Sequence, residues 1–201
     1  MDKIDIIKLA RSLIDIDSTS GQETDACKWL GNWLRDRNYQ VVEQPVSNDR
    51  FNIIATLDSS PDVVFSTHID CVPPFFASRE ENGLIYGRGA CDAKGILAAQ
   101  LAALERLRSD GEHRVALLVV VGEERGSQGA RAANTRPVGS QYLINGEPTE
   151  NKLGAATRGV YRTRLVAHGR AAHSSHPELG ESAIEKLLDA LLKLRDLPLP
   201  Q

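Results

Sequence analysis

The feature that most constrains the fold of this sequence is an unbroken apolar run, VALLVVV, at residues 115–121. A strand with one face in water alternates apolar and polar residues, whereas this run has no polar position. It is far shorter than the ~20 apolar residues that a membrane-spanning helix needs. The run therefore predicts a central strand of a parallel sheet that helices cover on both faces.

Strand and helix patterns alternate along the chain around this run, which predicts a layered α/β domain. Further strands are predicted at residues 39–43, 51–57, 63–67 and 141–144, and helices at residues 4–16, 93–108 and 127–134. The segment SGQE at residues 20–23 has the pattern of a capping box, in which Ser20 and Glu23 cap each other's backbone amides. It predicts the start of another helix, through Trp29 and Leu34. Residues 71–88, which are rich in Pro, Phe and Gly, are expected to form a long surface loop.

The pattern changes after Leu153. Residues 155–168 are predicted to form a long strand, and residues 181–194 an amphipathic helix. The apolar residues expected to face inward on this helix are Ile184, Leu187, Leu188, Leu191 and Leu192.

Composition excludes several classes of protein. The 201 residues carry a net charge of −3, so nucleic acid is not an expected partner. No signal peptide or membrane span is apparent, and three widely spaced cysteines favour reduced thiols in the cytoplasm. Cys71 and Cys91 each lie beside an acidic residue, which leaves open a role as soft metal ligands.

Polar side chains follow three of the predicted strands at their carboxyl ends, where open α/β sheets carry their functional crevice. They are His68 and Asp70 after residues 63–67, Glu123 and Glu124 after residues 115–121, and Asn145 and Glu147 after residues 141–144. Asp92 lies at the start of a predicted helix.

Each of these residues alone has an ordinary structural explanation, such as a helix cap for Asp92. Together at one rim, the carboxylates repel one another and raise their own pKa values, and a divalent cation relieves that repulsion. The sequence therefore predicts a metal site with one imidazole and several carboxylates. In an extended HxD segment, Asp70 lies on the same side as His68 and can orient its ring.

Four motifs, STHIDCVPP, GRGACDAKG, GEERGSQGA and GEPT, resemble in order and spacing those of one family of co-catalytic zinc metallopeptidases and amidohydrolases. That family includes acetylornithine deacetylase, succinyl-diaminopimelate desuccinylase, aminoacylase and the glutamate carboxypeptidases. The segment HGRAAHSSHPELG is similar to its lid signature. The resemblance implies a zinc-peptidase-like three-layer α/β domain with a mostly parallel central sheet at residues 1–152. The start of an α+β lid, or dimerisation, domain would follow at residues 153–201.

The resemblance also implies two Zn²⁺ ions, with Co²⁺ or Mn²⁺ as alternatives. By position, His68 and Glu147 resemble ligands of the first zinc, Asp92 the bridging carboxylate, and Glu124 a ligand of the second. Glu123 resembles the general base, and Asp70 the acid that orients the histidine. His173 resembles a lid histidine that reaches the partner subunit's site, whereas His168 and His176 have no counterpart.

These roles imply an amidohydrolase that cleaves an N-acyl amino acid or a peptide-like amide, of the acetylornithine deacetylase or succinyl-diaminopimelate desuccinylase type in amino-acid biosynthesis. It would act on a small-molecule substrate as a homodimer formed through the lid. The family's histidine ligand for the second zinc falls beyond residue 201, so we expect an N-terminal portion with weak or absent activity by itself. The competing interpretation is a truncated, non-catalytic protein that retains metal or partner binding. The absence of GxSxG, GxxxxGK[ST] and GxGxxG motifs argues against a serine hydrolase and a nucleotide-binding protein.

Overall fold

The computed structural model of the chain describes residues 4–57, 60–157, 159 and 162–198. It divides into two compact units, Met1–Leu153 and Gly154–Gln201. The first unit contains helices α1 (Ile6–Ile14), α2 (Thr24–Arg35), α3 (Lys94–Ser109) and α4 (Gln128–Thr135). Its strands are β1 (Gln40–Ser47), β2 (Arg50–Thr56), β3 (Val63–His68), β4 (Arg79–Glu81), β5 (Leu84–Tyr86), β6 (Val115–Val120) and β7 (Tyr142–Asn145).

The central sheet has five strands in the order β1-β2-β6-β3-β7. Strand β3 pairs in parallel with both β6 and β7, while β2 is antiparallel to β1 and to β6. Only β2 therefore runs against the other four strands, and the predicted mostly parallel sheet is confirmed. In the parallel register His68 lies opposite Val120 and Ser66 opposite Asn145, so the carboxyl ends of β3, β6 and β7 meet at one edge.

Strand β6 is buried at every position, as its apolar run predicts. Its side chains alternate between two cores: Leu117 and Val119 pack with residues of α1, α2 and α3 on one face of the sheet. Leu118 and Val120 pack on the other face with Ala133 of α4. Helices on both faces explain why no polar residue interrupts the strand.

Two local expectations for the first unit are wrong. Helix α2 begins at Thr24 with Glu23 as its N-cap and no side-chain capping bond, so residues 20–23 form no capping box. Residues 71–88, expected to be a long surface loop, contain the antiparallel hairpin of β4 and β5. Its exposed, mostly charged first strand lacks the apolar alternation by which sequence patterns reveal strands.

The second unit contains a short 3-10 helix (Pro177–Leu179) and helix α5 (Ala183–Arg195), which Ser182 caps through the Glu185 amide. The strand predicted at residues 155–168 is wrong wherever the structure describes that segment, because no neighbouring strand supplies its hydrogen bonds. Residues 158, 160 and 161 lie outside the described part. No residue of α5 is buried and Ile184 is 74% exposed, so the apolar residues expected inside this helix are wrong as well.

None of the helices that the described residues form has the length and apolarity that a membrane crossing would require.

Candidate metal centre

His68 is the last residue of β3, and its side chain is only 1% exposed. Strand β3 is paired with β6 and β7, and at His68 itself the partner is Val120 of β6, while the pairing with β7 ends at Ser66. The Nδ1 of His68 donates to the backbone oxygen of Asp70 at 2.9 Å, while Nε2 lies 2.8 Å from Oδ1 of Asp92. The imidazole thus presents Nε2 to the carboxyl edge of the sheet.

Three residues converge at this edge: His68, Asp92 and Glu147 each offer one ligand atom, and these atoms lie within 4.8 Å of one another. The Nε2 of His68 is 3.9 Å from Oε2 of Glu147. The carboxylate side chains remain 47% and 38% exposed, so the group opens to solvent. One imidazole and two carboxylates form a donor set that suits Zn²⁺ and similar divalent cations. It is the only such group among the residues that the structure describes.

Asp92 belongs to the turn that leads into α3. The Lys94 amide donates to the carbonyl of Gly89 at 2.9 Å, which closes the turn. The Lys94 side chain is buried, and its ammonium donates to the Ile16 carbonyl in the segment after α1. Burial lowers the pKa of Lys94. This anchored lysine joins the start of α3, and with it the turn that carries Asp92, to the segment after α1.

Glu147 is placed by the segment that follows β7. The Gly146 amide donates to the backbone carbonyl of Ser66 at 2.7 Å, and the Thr67 hydroxyl donates to the Gly146 carbonyl at 2.9 Å. A Cβ at Gly146 would lie 2.5 Å from Cγ2 of Ile96, so any larger residue would require side chains of α3 to shift. This close approach brings Glu147 beside His68.

Asp70 contacts more than the histidine it was expected to orient. Its carbonyl is the nearer acceptor for His68, and the carboxylate Oδ1 lies 3.5 Å from Nδ1. The same carboxylate accepts the Glu123 amide on Oδ1 at 2.9 Å, and the Glu124 amide on Oδ2 at 3.2 Å. Ser20 donates its hydroxyl to Oδ2 at 2.7 Å. Sequence reasoning missed Ser20, because SGQE resembles a helix start.

Negative charge dominates the electrostatics of this edge. Burial and the nearby Asp92 carboxylate raise the pKa values of Glu124 and Glu147. Burial alone would lower the pKa of His68, but the surrounding carboxylates outweigh it and raise that pKa to about 9. Burial would likewise raise the pKa of Asp70, but hydrogen bonds with His68, Ser20 and the Glu123 amide lower it. A divalent cation would relieve this crowding of acidic groups.

Other predicted site residues stay outside the three-residue group. Glu124 is held nearby through Asp70, and Glu123 lines a cleft of about 290 Å³ with His68 and Glu147. His173 belongs to the unit Gly154–Gln201, where its Nδ1 lies 2.7 Å from the Ser175 hydroxyl. Its proposed reach to a partner subunit stays a prediction.

The remaining candidates contact other groups. His176 pairs with Glu178, and the His168 carbonyl accepts from Lys186. Cys71 is buried and Cys91 exposed, and neither belongs to the three-residue group.

A mostly parallel sheet whose carboxyl edge gathers an imidazole and several carboxylates defines an α/β protein with a candidate divalent-cation site. The chain belongs to peptidase family M20/M25/M40, which it matches over residues 64–199. The resemblance of its motifs to those of zinc metallopeptidases is thereby confirmed at the level of the family.

Individual relatives agree with this assignment. The chain is 42% identical over 205 residues to a peptidase M20 domain-containing protein of Schizosaccharomyces pombe, covering 98% of this chain and 51% of that protein. It is 38% identical over 230 residues to a probable carboxypeptidase of Aspergillus fumigatus, and the match covers 98% of this chain and 52% of that protein. The chain thus spans about half the length of the curated relatives it matches.

The solved structures support the fold. A tripeptidase from Staphylococcus aureus superimposes with a TM-score of 0.70 at 20% identity, over 95% of this chain and 56% of that one.

Proposed function

We propose that this chain supplies the metal-binding part of a hydrolase that cleaves amide bonds in peptides or N-acyl amino acids. The observation that carries the proposal is the convergence of His68, Asp92 and Glu147 within 4.8 Å at the carboxyl edge of the sheet. Because the chain spans about half of its relatives, the activity is proposed for the protein that contains it.

His68, Asp92 and Glu147 would hold one cation, and Asp92 with Glu124 would contribute to a second, with Zn²⁺ as the proposed metal. Such ions, when bound, polarise the scissile carbonyl and make water acidic enough to react near neutral pH. The buried His68 presents a single nitrogen in a fixed direction, while the more exposed carboxylates leave access for a substrate.

Glu123 is the proposed general base. Its amide is fixed by the Asp70 carboxylate, and its side chain borders the same cleft as His68 and Glu147. In this role the Glu123 carboxylate takes the proton of the attacking water and later gives it to the leaving amine. Proton transfer by such a group contributes ~10²–10⁴ in rate.

The preferred substrate class is a peptide or N-acyl amino acid cut in the manner of a carboxypeptidase. Several relatives are named probable carboxypeptidases. The resemblance also associates a glutamate at position 147 with deacylases and carboxypeptidases. This glutamate equally supports a second candidate, deacylation of acetylornithine or succinyl-diaminopimelate in amino-acid biosynthesis. A panel of N-blocked dipeptides, acetylornithine and succinyl-diaminopimelate separates the two.

We also propose a cytoplasmic location and a homodimer formed through residues 153–201. Three free cysteines support the first. The exposed apolar residues of α5, such as Ile184 and Leu188, support the second.

The substitution Glu123→Gln tests the proposal. It should lower the rate of hydrolysis ~10²–10⁴-fold while the zinc content stays unchanged, because it removes the basic carboxylate and keeps the shape of the side chain. Glu150→Gln, at an exposed glutamate that pairs with Lys152, is the matched control and should behave as wild type. Normal turnover by Glu123→Gln would refute the assignment of the base. Zinc binding without hydrolysis of any panel member would instead favour the non-catalytic alternative.

A further inference from the structure

Ser20 lies in the segment between α1 and α2, yet its hydroxyl reaches the Asp70 carboxylate beside the candidate site. It donates to Oδ2 of Asp70 at 2.7 Å. This carboxylate is fully buried and also accepts the amides of Glu123 and Glu124. One buried acid therefore joins the α1–α2 segment to the two glutamates after β6.

The backbone around Ser20 is held mainly by hydrogen bonds between backbone groups, to which the Ser20 hydroxyl adds a longer contact of 3.4 Å with the Cys71 carbonyl. Thr19 forms a parallel bridge with Cys71. The Ser20 amide donates to the Cys71 carbonyl at 3.0 Å, and the Cys71 amide donates to the Ser18 carbonyl at 3.1 Å. Removing the Ser20 hydroxyl should therefore leave this segment in place. What it removes is one of the donors to the Asp70 carboxylate.

The segment after β6 is also fixed at both flanks. The Val121 amide donates to the buried Asn52 side chain at 3.1 Å, and the Gly129 amide donates to the Val121 carbonyl at 2.9 Å. Between these flanks, the Glu123 and Glu124 amides both donate to Asp70. The orientation of that carboxylate therefore sets where the two glutamates lie.

We propose that Ser20 is a positioning residue, whose hydroxyl fixes the rotation of the Asp70 carboxylate and thereby the backbone of Glu123 and Glu124. Hydrogen bonds to an ionised acceptor are the strong ones, and in a buried network the loss of one weakens the others. Without the hydroxyl, Oδ2 keeps the longer bond to Glu124, and the carboxylate is free to turn toward His68 at 3.5 Å. The consequence for metal binding rests on the proposed function, whereas the positioning itself does not.

The test compares Ser20→Ala, Ser20→Thr and Ser18→Ala in the full chain. Ser18 is the matched control because it lies on the same segment as Ser20. Its buried hydroxyl donates to the Ile69 carbonyl at 2.6 Å and not to Asp70. The first measurement is the ¹⁵N–¹H spectrum of the metal-free protein, which reports the Glu123 and Glu124 amides directly. The second is zinc titration by calorimetry, with the thermal unfolding midpoint as a check on folding.

Ser20→Ala should shift the Glu123 and Glu124 amide signals and weaken zinc binding about tenfold. Substitutions of residues that orient metal ligands typically weaken binding by ~10–100-fold, and this one acts through Asp70. Ser20→Thr should restore both readouts, and Ser18→Ala should change neither while still lowering the unfolding midpoint. Unchanged amide signals in Ser20→Ala, or equal shifts in Ser18→Ala, would overturn the proposal. If the wild-type chain binds no zinc, the proposed function fails, and the amide signals still decide the role of Ser20.

Discussion

At the scale of single residues, His68 determines which chemistry the edge of the sheet can support. Both ring nitrogens lie within hydrogen-bond distance of an oxygen. The partner of Nδ1 is the Asp70 carbonyl, and the partner of Nε2 is the Asp92 carboxylate. A cation bound at Nε2 would take the place of the 2.8 Å contact between the imidazole and Asp92. The backbone carbonyl at Nδ1 fixes the ring in the tautomer that such binding needs.

The cysteines provide a residue-scale test of the core. Cys27 is buried and Cys91 is exposed, and burial raises the pKa of Cys27 to about 12. The thiolate is the reactive form, so a raised pKa and burial both suppress reaction at pH 8. We expect iodoacetamide to modify Cys91 in the native protein, and Cys27 only after unfolding, as read by peptide mass spectrometry. Equal labelling of both thiols in the native protein would contradict the described core.

Individual residues also show how far sequence reasoning reached. His68 and Glu147 could be selected because parallel strands bring their carboxyl ends to one edge, which depends only on fold class. Asp92 could be selected as an acid at the start of a predicted helix. The contacts of Asp70 with Ser20 and Glu123 could not be predicted, because they join residues 50 and 53 positions apart through the folded backbone. Ser20 resembled a helix cap for the same reason: its partner is not local.

At the scale of elements, one buried ion pair joins α2, β2 and α4. Arg50 of β2 binds both carboxylate oxygens of the fully buried Glu23, at 2.8 and 2.6 Å, and donates to Gln128 at 2.7 Å. Removing one partner of such a pair leaves an uncompensated buried charge. Arg50→Met should therefore lower the free energy of unfolding by ~3–5 kcal/mol, measured by urea denaturation.

An exposed pair provides the control for this prediction. Arg35 and Glu43 lie 2.7 Å apart but are both about two-fifths exposed. Arg35→Met should cost no more than ~1 kcal/mol, because water screens the pair. A loss in Arg50→Met as small as that in Arg35→Met would show that Arg50 and Glu23 do not form the buried pair described here.

The contact between β7 and α3 gives a second prediction at this scale. A methyl group at Gly146 would lie 2.5 Å from Ile96 and 2.6 Å from Gln100, which forces the two elements apart. Gly146→Ala should lower the free energy of unfolding by ~1–3 kcal/mol and weaken zinc binding by displacing Glu147. Gly154→Ala, where a Cβ meets nothing within 4 Å, should do neither. Wild-type stability and zinc affinity in Gly146→Ala would contradict this packing.

Elements also mark where sequence patterns stop being informative. The unbroken run of β6 required helices on both faces, and the structure has them. The residue pattern at 155–168 predicted a strand, as the run of β6 did. A strand also needs a hydrogen-bonded neighbour, however, and the residue pattern does not show whether one is present. The same holds for α5: its apolar spacing predicts a helix, which the structure has, but none of its residues is buried.

At the scale of the whole molecule, the proposed roles divide between the two units. The candidate metal ligands all belong to Met1–Leu153, whereas His173 belongs to Gly154–Gln201. His173→Ala should therefore leave zinc affinity unchanged and lower hydrolysis of the proposed amide substrates. A loss of zinc affinity in His173→Ala would place the histidine among the ligands, and unchanged hydrolysis would remove it from the reaction.

The most direct test of the account is a zinc titration of the metal-free chain by calorimetry, comparing wild type with His68→Ala and His176→Ala. His176 is an exposed histidine paired with Glu178, so its removal controls for the loss of an imidazole. We expect wild type and His176→Ala to bind zinc equally, and His68→Ala to bind more than about 100-fold less tightly, beyond the usual effect of an outer-shell change. Equal binding by all three proteins would contradict the claim that His68, Asp92 and Glu147 form a metal centre.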